Sequence, residues 1–105
     1  MTEDINDEAA EDLLAKINRE TSKMVWTELL PFFAKGMAIY VSHKMDLVKV
    51  AHELSIDNKK QLEEWMTEGL VANVSDEQAS AWHESNILVW AVVIKPWVLV
   101  QPIVD

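Results

Sequence analysis

The chain has 105 residues, half of them apolar, five tryptophans, two glycines, no cysteine and a formal net charge of −9. That length suits one domain with a core of its own. The absence of cysteine excludes a disulfide framework, a thiolate metal site, an iron–sulfur cluster and a thiol nucleophile. Glycine only at Gly36 and Gly69 rules out a glycine-rich phosphate loop.

The charge is uneven. Glu3, Asp4, Asp7, Glu8, Glu11 and Asp12 fall within the first twelve residues, which carry no base. Residues 1–9 therefore read as an acidic, solvated tail and residues 10–105 as a single domain. The N-terminus lacks the basic and apolar regions of a secretory signal, so a cytoplasmic protein is expected. The apolar stretch Ile87–Val104 is broken by Lys95, Pro96, Gln101 and Pro102. It falls short of the roughly 20 apolar residues that a membrane span requires.

Along the chain, Ala10, Leu13, Leu14, Ile17, Thr21 and Met24 follow one helical face, predicting a helix from about Glu8 to Lys23. Its acidic first turn suits the helix dipole. Thr27 is placed to cap a short helix carrying Leu29, Leu30, Phe32 and Phe33 and closed by Gly36. Met37–Ser42 reads as a buried strand. Asp46 caps a helix with Leu47, Val50, Ala51 and Leu54 inward. Asn58–Glu68 follows as a helix with Leu62, Trp65 and Met66 inward and Gly69 as its stop.

Leu70–Val74 is expected to be extended. Ser75 and Gln78 form a capping box for a helix bearing Ala79, Trp82 and His83. Ile87–Ile94 and Trp97–Gln101 are strands joined by a turn at Lys95-Pro96. The result is an α+β domain with helices packed on a small antiparallel sheet. The element order also resembles a winged helix.

Both faces of Ile87–Ile94 are apolar, whereas an antiparallel sheet with one wet face alternates. Either helices sandwich this strand, or another chain covers its second face. The second arrangement is the expectation here, with an identical subunit as partner, because twofold homodimers are the commonest oligomers. The candidate interface is Leu88, Trp90, Val92, Ile94, Trp97 and Leu99. Trp26, Trp65, Trp82 and Trp90 lie on apolar stripes and are expected in the core. Trp97, beside the turn, can anchor an interface.

Site chemistry is sparse. His52-Glu53 and His83-Glu84 open like a zinc-protease helix motif, but Ile56 and Ile87 stand where the second histidine belongs. His43 and Asp46 lack a third ligand nearby, so no metal site is expected. Glu63, Glu64 and Glu68 form a solvated helix face. None of the serines sits in a nucleophile elbow. Neither catalytic residues nor a cofactor are expected, and a non-enzymatic homodimeric interaction module is the leading reading.

The alternative is a nucleic-acid-binding regulator. Val50–Ile56 followed by Leu62-x-x-Trp65 resembles a helix-turn-helix, with Asn58, Lys59, Lys60 and Gln61 opening its second helix. However, Asp57, Glu63, Glu64 and Glu68 outnumber Lys59 and Lys60 there, against the basic surface that phosphate contacts demand.

Several stretches together resemble one family, the small bacterial proteins grouped as domain of unknown function 2288. They are Met45-Asp46-Leu47-Val48-x-Val50-Ala51, Asp57-Asn58, Trp65-Met66-x-Glu68-Gly69-Leu70-Val71, Ser75-x-Glu77-Gln78-x-x-x-Trp82 and Val93–Gln101. The likeness runs over residues 10–101. The closing Pro96-Trp97-Val98-Leu99-Val100-Gln101 is its most distinctive part. Met45 stands where leucine is expected and Asn73 where proline is. The resemblance implies a compact bacterial cytoplasmic protein, and it implies no activity and no functional residue.

Overall fold

The structure is a computed structural model describing residues 13–103. The expected acidic tail and the acidic first turn lie outside the described residues. Helix α1 is described over residues 13–20. It ends where the Thr21 hydroxyl and N–H both donate to the Ile17 carbonyl, at 2.7 and 3.0 Å. That hydroxyl bond competes with a further helical turn. The helix predicted to about Lys23 therefore stops short, and the chain enters strand β1 (Ser22–Val25).

Trp26–Leu29 forms a 3₁₀ turn that runs into helix α2 (Leu30–Ala34). Thr27 lies inside the turn and does not cap it. Val25 takes the cap position without a side-chain bond. Pro31 occupies the first turn of α2, where a missing N–H costs least. Gly36, at φ +72°, closes the segment. Strand β2 (Ala38–Val41) follows.

Asp46 Oδ1 accepts from the N–H groups of Val48 and Lys49 at 3.0 and 3.4 Å, opening helix α3 (Leu47–Ser55). After a turn with Asp57 at φ +59°, the Asn58 side chain accepts from Gln61 N–H and opens helix α4 (Lys59–Thr67). Met66, expected inward, is exposed, because only Leu62 and Trp65 of α4 reach the core. Strand β3 (Val71–Asn73) leads to helix α5 (Asp76–Ser85). Both bonds of the expected capping box are present, Gln78 N–H to Ser75 Oγ and Ser75 N–H to Gln78 Oε1. Strands β4 (Leu88–Ile94) and β5 (Trp97–Pro102) complete the domain.

The five strands form one sheet in the order β1-β4-β5-β2-β3. Three pairings are antiparallel, but β2 and β5 run parallel, with Tyr40 opposite Val100. The sheet is therefore mixed, not purely antiparallel. The C-terminal hairpin inserts between β1 and β2, and β5 can pair with only one of its neighbours as a hairpin partner. The likeness to a winged helix ends at element order, since the hairpin here is the middle of the sheet.

Helices cover both faces. On one, α1, α3 and α4 bring Ile17, Leu47, Val50, Ala51 and Trp65 onto Val41, Val71, Val92 and Leu99. On the other, the 3₁₀ turn and α5 bring Trp26, Leu29 and Ala79 onto Ala38, Val89, Ala91, Val98 and Val100, with Phe32 and Phe33 of α2 packed alongside. The expectation that a second subunit covers one face is corrected over the middle of β4. There the apolar pattern on both sides is met within one chain.

Candidate interaction surface

Strand β4 emerges from this helical cover at both ends. Alternation sends Leu88, Trp90, Val92 and Ile94 toward the α1, α3 and α4 side and Val89, Ala91 and Val93 toward the other. Val89, Ala91 and Val92 are buried, whereas Leu88 is 52% exposed, Val93 41% and Trp90 36%. Of the expected interface, Val92 and Leu99 are thus withdrawn. They are core residues of this chain and have no surface to offer a partner. Trp90, which the sequence places both among the core tryptophans and in the candidate interface, is exposed and not part of the core. Trp26 and Trp65 are buried and Trp82 is half-buried.

At the Leu88 end, Trp90 lies opposite Lys23 on β1 and Gln101 on β5. Directly opposed residues share a sheet face, so the three form a row. The Lys23 ammonium sits 5.2 Å from the centre of the Trp90 ring, within cation–π range. Gln101 points the other way along the row. Its Nε2 donates to the carbonyls of Ser42 and Met45 at 2.9 and 2.8 Å, tying the loop before α3 to the sheet. Between the end of α1 and the start of α3 lies a cleft of about 340 Å³, whose lining includes Asn18, Thr21, Met45, Val48, Trp90 and Gln101.

At the hairpin end, Ile94 lies opposite Trp97, and both are half-buried. Nearby Pro96 joins Pro31, Phe32, Lys35 and Met37 around a smaller cleft of about 170 Å³. Val93 is exposed as well, on the face opposite the expected interface. Its signal was present in the unbroken apolar run.

The α3–α4 pair exists as a helix, a short turn and a helix. Asn58 is spent on capping α4 and donates from Nδ2 to Glu53 Oε2 at 3.1 Å. Gln61 is half-buried and donates to Glu64, leaving Lys59 and Lys60 exposed. A shallow depression on this helix is lined by Lys60, Glu63, Glu64, Thr67 and Glu68, so acids predominate there.

His43 and His83 are exposed and His52 is half-buried. Among the described residues no group of three His, Cys, Asp or Glu side chains is placed to hold a metal ion. Asp46, considered with His43, has its Oδ1 engaged in the α3 cap. Within the same residues, no helix is long and apolar enough to cross a membrane.

The solution NMR structure of PA1075 from Pseudomonas aeruginosa is similar to this chain, with 36% identity and a TM-score of 0.79. That similarity covers 90% of this chain and 87% of PA1075. No curated protein matches the chain. The family model for DUF2288, described as a protein of unknown function, matches residues 12–102. The chain therefore belongs to the DUF2288 family.

Proposed function

We propose that this protein is a non-enzymatic protein-interaction module that acts as a homodimer. One observation carries the reading: β4 is buried in its middle and exposes large apolar side chains at both ends. Exposed apolar surface of this kind marks association sites. The hairpin end, with Val93, Ile94, Trp97 and the apolar cleft around Pro96, is the self-association surface. Among the described residues, the cleft around Pro96 is lined by Lys35 and apolar side chains, which suits the approach of two copies of an acidic chain. Leu88 and Trp90 remain for a second protein.

Light scattering at micromolar concentration tests the homodimer. The expected mass is twice the 12.0 kDa of one chain. Trp97→Glu should return it to one chain mass with an unchanged circular dichroism spectrum. A single-chain mass for the unmodified protein at every concentration overturns the homodimer.

A nucleic-acid-binding reading draws support from the exposed Lys59 and Lys60 alone. Anisotropy with labelled duplex DNA at low salt decides it, and absence of binding there removes it.

A further inference from the structure

We propose that the Leu88–Trp90 end of the sheet receives an acidic segment of a partner protein that carries apolar anchor side chains. This rests on the reading of the chain as an interaction module and names the chemistry of what it binds. Three observations converge on the β1 side of the molecule.

The first is apolar. Leu88 and Trp90 are adjacent on one face of β4 and both exposed, and half-buried Val25 lies opposite Leu88. A tryptophan presented this way supplies a large anchor at little conformational cost.

The second is charge. From Leu13 to Val25 the chain carries Lys16, Arg19 and Lys23 against Glu20 alone, in a protein whose net charge is −9. All three bases are exposed, and the Lys23 ammonium lies over the very ring that is offered. The Lys23 ammonium on the exposed tryptophan, with Lys16 and Arg19 close to it in sequence, favours acidic partners over basic ones, and Asp46 is the one acid that lines the adjoining cleft.

The third is the open edge of the sheet. Trp26 N–H donates to the Ile87 carbonyl at 2.9 Å while Ile87 N–H turns to the Trp82 carbonyl, so the main-chain N–H of Trp26 faces the β4 side at the end of the ladder. Alternation then directs the main-chain groups of Met24 and Ser22 toward β4, and those of Lys23 away from it. Lys23 thus turns outward main-chain groups that have no partner among the described residues, while its ammonium lies back over its own sheet. At the opposite edge, β3 is only three residues long and its Val71 is 3% exposed, so it offers a shorter stretch for strand addition than β1. An extended partner segment can add to β1 through Lys23 and lay alternate side chains toward Trp90.

The test uses the full chain and a fluorescein-labelled synthetic peptide alternating glutamate with leucine. Two controls accompany it, the same peptide with lysine for glutamate and a polyglutamate peptide without leucine. Anisotropy should show binding of the glutamate–leucine peptide alone, weakened by added salt. Lys23→Glu and Trp90→Ala should each weaken it about tenfold, and Trp97→Glu should leave it unchanged.

Equal binding of the lysine peptide, or of polyglutamate, overturns the proposal, as does unchanged affinity in Lys23→Glu. A dimer that survives Trp97→Glu and dissociates on Trp90→Ala puts a second copy on this surface and also overturns it. Peptide binding by a protein that scatters as a monomer removes the homodimer and leaves this inference standing. A dimer that ignores the peptide does the reverse.

Discussion

The indole N–H of Trp26 donates to the main-chain carbonyl of Ala79 at 3.2 Å, joining positions 53 residues apart in sequence. Trp26 is wholly buried, and its ring meets Trp82 edge-on at 5.0 Å and Phe33 at 5.9 Å. This one side chain links the 3₁₀ turn, α2 and α5 over the sheet. Trp26→Phe removes the bond and part of the ring, and should cost about 1–2 kcal/mol. Trp26→Ala should cost about 3–5 kcal/mol through the cavity it leaves. Urea denaturation monitored by circular dichroism measures both.

Gln101 is the only side chain bridging β5 to the Ser42–Met45 loop in the described hydrogen bonds, and it serves two carbonyls at once. Gln101→Ala leaves both without that donor and should cost about 1–2 kcal/mol. Hydrogen exchange should speed up in the loop and the first turn of α3 before any other segment responds.

Two helix caps act on different elements and should act independently. Ser75→Ala breaks the capping box of α5, and Asp46→Ala removes the acceptor that opens α3. Each should cost about 1 kcal/mol, and the double variant should cost nearly their sum, because the two caps share no partner. Denaturation midpoints of the three variants check this.

Two positions on the same face of β4 should respond oppositely to the same charge. Leu88→Glu places a carboxylate on an exposed position and should leave stability within about 0.5 kcal/mol of the parent. Val92→Glu buries one in the core at a site 1% exposed, and the domain should fail to fold. Expression, thermal melting and circular dichroism distinguish the two.

Much of the fold was legible because its signals are local. Asp46, Asn58 and Ser75 each stand where a helix begins, and each bonds to main-chain N–H groups within three residues. The stripe Leu47, Val50, Ala51 and the long apolar run Ile87–Ile94 read correctly for the same reason. Ser22–Val25 did not, because Met24 continues a helical spacing and only pairing with β4 makes the segment a strand. The parallel pairing of β2 with β5 leaves no local trace either, since it joins positions sixty residues apart.

The candidate surface divides in the same way. Leu88, Trp90, Val92 and Leu99 are equivalent by residue type and alternation, yet two are exposed and two are core. Which ones emerge depends on where α1 and α3 stop, and that is a property of packing.

By itself the sequence determined the chemistry available to this protein: no thiols, no phosphate loop, an acidic overall charge, capped helices and a two-faced apolar strand. Only the tertiary structure decided how that strand is used. Because the chain's own helices bury both faces of its middle, the apolar surplus is consumed there, and what remains is confined to the two ends that the helices do not reach.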